Sequence, residues 1–230
     1  MLPFGIAAVD GRLAGGGLRL PLLHECAAAG VDRNEGNWGD DAAATLFLAG
    51  IAARSSGQVL WVMRGRDLFA PALYQAGLGP DRLIQAEARD DPELLAIMED
   101  ALRHRGLGAV VGEVRRAGLT ATRRLQLAAE GGTTIPLLLR RAARIGEDAL
   151  SQPSAAATRW RIGSVPSAPL PGGVAGIGRA RWRVELVRQR GGAPFAWEWE
   201  ACDETGRCAL AAGLVDRPDL PRGADARAVA

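Results

Sequence analysis

Short blocks of consecutive apolar residues recur along the first 140 positions. Between them lie stretches whose apolar residues fall three and four apart. Residues 22–28 (LLHECAA), 58–63 (QVLWVM), 108–114 (GAVVGEV) and 133–139 (TTIPLLL) predict strands buried on both faces, with a shorter strand inside 81–87. The intervening segments carry helix punctuation. Residues 42–54 form a nearly all-apolar helix with Asp40 and Asp41 available as N-caps. Asp67 opens a helix through residue 76 that Gly77 ends, with Phe69, Tyr74 and Met63 read as core. Asp91 followed by Pro92 opens the clearest helix, with Leu94, Leu95, Ile97, Met98, Ala101 and Leu102 on its apolar face and a stop at Gly106. Thr120 caps a further helix to residue 130. Buried strands alternating with helices predict an α/β fold with a mostly parallel sheet flanked by helices.

After residue 140 the period changes. Residues 140–157 are polar and Arg-rich and read as a long flexible loop. Residues 158–164 alternate, residues 166–178 form a Pro/Gly-rich linker or hairpin tip, and 181–190 and 194–202 alternate around Gly191-Gly192 as an antiparallel hairpin. The expected organisation is one domain over 1–215: a parallel core at 1–140, the loop, and an antiparallel extension at 158–215. Residues 216–230 are expected to be a disordered tail.

Composition narrows the chemistry. All 28 basic residues among the 230 are Arg, so no lysine is available for a phosphate loop, a Schiff base or a Ser-Lys dyad. Residues 1–113 hold 10 Arg against 15 Asp and Glu, a net −5, whereas residues 114–230 hold 18 against 11, a net +7. Such asymmetry predicts two faces with different partners. Cys26, Cys202 and Cys208 are too few for a disulfide framework, and a zinc site on the last two would need distant helpers. Cys202 and Cys208 are expected to flank a turn and need not react. The first residues lack a signal-peptide pattern and no run of about 20 apolar residues occurs, so a cytoplasmic location is expected.

A strand, a glycine-bearing loop and a helix near the start of an α/β sheet form the usual nucleotide cradle. Here the loop is 29–41, AGVDRNEGNWGDD, with no G-K-[ST] ending and with Asp32, Glu35, Asp40 and Asp41 against a single Arg33. Carboxylates there satisfy the helix dipole and repel a triphosphate. The central strand ends in Glu113 rather than the Asp that usually holds magnesium. The expectation is no catalytic residue, no metal, no cofactor and no ATPase activity.

Several segments resemble a known family. Phe4-Gly5-Ile6, Val9-Asp10, Gly15-Gly16-Gly17-Leu18 and Leu23-His24-Glu25 look like the opening of the RecA superfamily. The stretch from Leu60 to Met63, then Arg66 to Leu73 and Ala76 to Leu83, resembles a narrower group, the ImuA proteins of bacterial SOS mutagenesis. Residues 183–190 (RVELVRQR) with Ala193-Pro194-Phe195 and Trp197 are similar to a RecA hairpin whose two lysines reach a neighbouring subunit's ATP. Arg188 and Arg190 stand at those positions. The resemblance spans roughly residues 4–200 and implies a RecA-like core with a degenerate phosphate loop. It also implies ImuB and an error-prone C-family DNA polymerase as partners, with RecA a further candidate.

Placed on that frame, Arg140, Arg141, Arg144, Arg159 and Arg161 fall where RecA has its second DNA-binding loop and the strand after it. Arg115, Arg116, Arg123 and Arg124 fall near its first. Two readings stay open: Arg forks clamp single-stranded DNA with Trp160 stacking on a base, or an Arg-rich surface is simply solvated and Trp160 points inward. Trp197 and Trp199 share a strand face. They read either as core or, with Arg188 and Arg190, as a partner-docking patch. Asp10 is expected to orient a turn. The functional expectation is a non-catalytic adaptor in error-prone translesion synthesis, with a SulA-like division inhibitor binding FtsZ as the alternative.

Overall fold

The computed structural model describes residues 1–30, 38–65, 67–144, 146–170 and 175–211. Its strands are β1 His24–Ala28, β2 Val59–Met63, β3 Leu83–Glu87, β4 Ala109–Val114, β5 Ile135–Arg140, β6 Thr158–Val165, β7 Arg181–Gln189, β8 Phe195–Glu200 and β9 Ala209–Leu210. The helices are α1 Ala7–Asp10, α2 Trp38–Ala53, α3 Ala70–Gln75, α4 Asp91–His104 and α5 Leu119–Ala129. Among the described residues, the nine strands form one sheet in the order β3-β2-β4-β5-β1-β6-β7-β8-β9. Neighbours from β3 to β6 are parallel, and those from β6 to β9 antiparallel. Most of the 29–41 loop, the centre of 166–178 and the tail from 212 lie outside the described residues, and with them the expectations of a degenerate phosphate loop and of a disordered tail at 216–230.

The period-two geometry of the strands explains the two cores. Val59, Trp61 and Met63, Ala109 and Val111, and Ile135, Leu137 and Leu139 face α2 and the N-terminal segment. Val62, Val110, Val114 and Leu138 face the opposite way, onto Leu94, Met98 and Leu102 of α4 and Leu125, Ala128 and Ala129 of α5. Gly112 sets the approach of α4, because a Cβ there would lie 2.1 Å from the Met98 sulfur. The antiparallel half is packed on one side. Trp160, Ile162, Trp182, Val184, Leu186, Phe195 and Trp199 join the α2 core, which is why β6–β8 alternate in sequence while β2, β4 and β5 do not.

Helix boundaries shift for identifiable reasons. Asp90, not Asp91, caps α4 by accepting from the Glu93 amide at 2.9 Å, which puts Pro92 within the first two helical positions. Arg105 rather than Gly106 takes the left-handed conformation that ends it, at φ 58°. α5 starts after Gly118, so Thr120 lies inside the helix. α3 begins only at Ala70, and its side chains correct an expectation: Phe69 is 69% exposed and Tyr74 is on the surface, whereas Met63 is core. Asp10 orients the N-terminal turn as expected, accepting from the amides of Phe4 (2.7 Å) and Gly5 (2.9 Å).

Candidate functional site

The carboxyl ends of parallel strands are where open α/β sheets place their ligands. Here the ends of β2, β4 and β5 and the first turn of α2 enclose a cleft of about 580 Å³. One wall is apolar: Leu46, Leu68, Phe69, Ala72 and Leu73. The other is charged and centres on Arg141, just past the end of β5. Its guanidinium donates to Glu113 Oε2 at 2.8 and 3.0 Å, to Asp41 Oδ1 at 3.2 Å and to Thr45 Oγ1 at 2.9 Å. Glu113 is held from its other oxygen by Trp61 Nε1 at 2.7 Å. Burial works against the Arg141 charge, but Glu113 and then Asp41 outweigh it and hold its pKa above the ordinary value. Glu113, at the strand end where a metal-binding carboxylate was sought, thus faces a cation supplied by the chain itself.

Asp40, expected to repel phosphate, is buried and ties three elements together. Its oxygens accept from the amides of Ser164 (2.6 Å) and Gly30 (3.2 Å), joining α2 to the ends of β6 and β1.

A second polar cluster lies inside the sheet. Glu25 on β1 is fully buried and accepts from Arg140 Nε (3.2 Å) and Nη2 (2.7 Å), Arg159 Nε (2.9 Å) and Ser154 Oγ (2.6 Å). Register brings this about: Glu25 pairs with Leu138 on β5 and with Arg159 on β6, and Arg140 shares Leu138's face. Arg140 also donates to the Ala117 carbonyl at 2.7 Å and Arg159 to that of Gln152 at 3.0 Å. The expectation that Arg140 and Arg159 clamp DNA phosphates is therefore corrected. Their exposures are 1% and 8%, and both guanidinium groups are committed to Glu25. Of residues 140–157, expected to be a flexible loop, Arg140 ends β5, and the described residues after it carry no regular element yet are fastened by Ser154 and buried at Leu150, Ala156 and Ala157.

The remaining candidates divide. Arg161 lies between Asp148 (3.0 Å) and Glu185 (3.2 Å). Arg144 is exposed. Arg188 and Arg190 are exposed but turn back onto the loop, Arg188 donating to the carbonyls of Ser154 and Ala156 and Arg190 to that of Ala155. Trp199 is core, within 5.2 Å of Phe4 and 6.4 Å of Trp160 between ring centroids, so it belongs to no docking patch. Trp197 is half-buried against Phe195 at 4.7 Å, with Arg12 over its ring. Trp160 points inward, and its Nε1 donates to Thr158 Oγ1 at 2.8 Å. That hydroxyl meets His24 Nδ1 at 2.7 Å, and His24 Nε2 meets the Arg19 carbonyl at 3.1 Å. The chain of bonds suits a neutral imidazole, and burial lowers the His24 pKa to about 4. Of the basic residues after β4, Arg124 pairs with Glu99 at 2.7 Å, while Arg115, Arg116 and Arg123 are exposed.

Glu25 as a hub escaped the sequence reading, because an acidic residue in an apolar run shows no trace of partners over 100 positions away. The exposed Phe69 was legible only as a hydrophobe.

The sheet order defines a mixed α/β protein, with a mostly parallel sheet flanked by helices and an antiparallel extension, as expected from its sequence, and the cleft lies at its strand ends. Over 207 residues, the chain is 44% identical to Protein ImuA of Caulobacter vibrioides strain NA1000 / CB15N, covering 87% of this chain and 83% of that protein. Protein ImuA of strain ATCC 19089 / CIP 103742 / CB 15 matches to the same extent. The chain belongs to the ImuA family, the SOS-mutagenesis group that its segments resemble. No protein-family model matches it. Among solved structures it is similar to SulA from Pseudomonas aeruginosa, with a TM-score of 0.42 and 23% identity over 51% of this chain and 96% of that one. A likeness at that level carries no argument about function. Among the described residues, no helix is long and apolar enough to cross a membrane and no cluster of metal-ligating side chains occurs.

Proposed function

We propose that this chain is a RecA-like accessory factor of SOS mutagenesis that acts by association rather than turnover, as an adaptor for ImuB and an error-prone C-family DNA polymerase. RecA is a third candidate partner. Membership of the ImuA family supports the process. The observation that carries the adaptor reading is Arg141 lying between Glu113 and Asp41 at the strand ends, where a nucleotide-hydrolysing relative would need its carboxylates for metal. The cleft beside it offers what a protein contact uses: an exposed aromatic, an apolar floor and a charged rim. A partner's apolar side chain would rest against Leu68, Phe69 and Ala72, with an acidic neighbour meeting Arg115.

The test is copurification of ImuB and the polymerase with the tagged full chain, with and without nuclease, beside Phe69→Asp. Phe69 is exposed, so the substitution should leave stability within about 0.5 kcal/mol of the parent while capture falls at least tenfold. Capture of neither protein by the parent chain, or ATP turnover above background that Glu113→Gln abolishes, would remove the proposal.

A further inference from the structure

Away from the cleft, Cys202 and Cys208 flank the turn that leads from β8 into β9. Asp203 builds this turn. Its carboxylate accepts from Thr205 N (2.9 Å), Thr205 Oγ1 (2.6 Å) and Arg207 N (3.0 Å), and its own amide donates to the Arg207 carbonyl at 3.0 Å. With Asp203 and Arg207 bonded across the turn, the cysteines just outside them face each other, their sulfurs 2.9 Å apart. A disulfide is about 2.05 Å long, so less than 1 Å of approach separates the pair from a bond.

The turn has a fitted seat. A Cβ at Gly50 of α2 would lie 2.3 Å from the Cys202 sulfur, and one at Gly77 would lie 2.4 Å from the Gly206 amide nitrogen. Gly206 itself sits at φ +72° against the Gly50 carbonyl. The two glycines let the turn press onto α2 and the end of α3, and that packing holds the sulfurs together. Arg54, four residues beyond Gly50, places a guanidinium close enough to both sulfurs to interact with their charge. A neighbouring cation favours the thiolate that an oxidant attacks. The hydrogen bond to Cys202, then burial, raises the Cys208 pKa, and Arg54 works in the opposite direction. Cys26, in contrast, is sealed in the core, and burial raises its pKa.

We propose that Cys202 and Cys208 form a modification site: a dithiol that a small peroxide converts reversibly into an intramolecular disulfide. One thiolate attacks a peroxide oxygen, the O–O bond breaks, and with a proton taken up a sulfenic acid and one water are formed. The second thiol then displaces the sulfenic hydroxyl, forming the S–S bond and releasing a second water. In total, two thiols and one hydrogen peroxide give a disulfide and two waters. A dithiol reductant returns two electrons and two protons and reopens the bond. The bond would tie β9 to the end of β8 over the seat on α2. This inference stands independently of the adaptor reading.

The test treats the native full chain with hydrogen peroxide at a few equivalents, alkylates free thiols and reads intact and tryptic masses. Trypsin cuts after Arg207, between the two cysteines, so the disulfide joins two peptides that otherwise separate. The expected result is a loss of two hydrogens per chain, a fall from three alkylatable thiols to one after unfolding, a Cys202–Cys208 linked peptide pair and full reversal by dithiothreitol. The linked pair should form at least tenfold faster in the native chain than in urea, because the fold holds the sulfurs in place. Cys202→Ser and Cys208→Ser should each abolish the link and leave a sulfenic acid that dimedone traps on the remaining cysteine. Linking no faster in the native chain than in urea would overturn the proposal. So would stable over-oxidation without a bond, or disulfides only between chains.

Discussion

Replacing Glu25 with Gln would remove one negative charge from inside the sheet and leave Arg140 and Arg159 buried without a counter-ion. The three side chains are 0%, 1% and 9% exposed, so solvent screens little of the change. Breaking a buried pair by removing one partner costs about 3–5 kcal/mol, mostly because the remaining charge stays desolvated. Glu25 serves two guanidinium groups at 2.7 and 2.9 Å and the Ser154 hydroxyl at 2.6 Å. Gln keeps one acceptor oxygen, which places Glu25→Gln near the lower end, about 3 kcal/mol. Glu25→Ala also loses the Ser154 bond and belongs near the upper end. A domain of ordinary stability holds roughly 5–15 kcal/mol, so either change removes a large share. Urea titration followed by tryptophan fluorescence reads it. With a slope of about 2–3 kcal/mol per molar, Glu25→Gln should lower the midpoint by about 1 M or more. The triple replacement Glu25→Leu, Arg140→Met, Arg159→Met should recover most of the loss, since an apolar substitute for a buried ionic cluster is often neutral or stabilising. A Glu25→Gln midpoint within about 0.3 M of the parent, less than about 1 kcal/mol at that slope, would refute the reasoning.

Three other expectations follow from single contacts. His24 has a folded pKa of about 4 against 6.5 when unfolded. The unfolded chain therefore binds the extra proton first, and stability is full above pH 6.5 and falls as pH drops toward 4. The slope approaches about 1.4 kcal/mol per pH unit. Urea midpoints at pH 7.5 and 5.5 should show this fall in the parent and lose most of it in His24→Gln. Gly112→Ala drives a methyl toward the Met98 sulfur and a Leu94 methyl, so thermal unfolding should show a loss of about 1–3 kcal/mol from overpacking. Asp90→Ala removes the side chain that accepts from the Glu93 amide. It should cost about 1 kcal/mol, with Asp90→Asn recovering most of that in the same melt.

The Arg140 and Arg159 result bears on how basic surface is counted in this chain. With no lysine present, every structural cation as well as every functional one is an arginine. The +7 of residues 114–230 therefore includes guanidinium groups that act inward, on Glu25, Glu113 and Glu185. Arg115, Arg116 and Arg123, in contrast, remain exposed.

The local pattern was enough to place the principal strands and helices. Full-width apolar runs at β2, β4 and β5 required burial on both faces, and alternation at β6–β8 required burial on one, because side chains leave a strand on opposite sides at each step. The Asp-Pro pair marked the start of α4 to within a residue. Register and distance decided the rest. Whether Arg140 meets solvent or Glu25 depends on which residue of β1 lies beside Leu138, a pairing over more than 100 positions that no local preference specifies. The same holds for Arg141 reaching Asp41 and Thr45 on α2, and for Phe69, a core residue by composition that the loop into α3 leaves in the open. A side chain's type is local, but its charge partner and its exposure are properties of the packed chain.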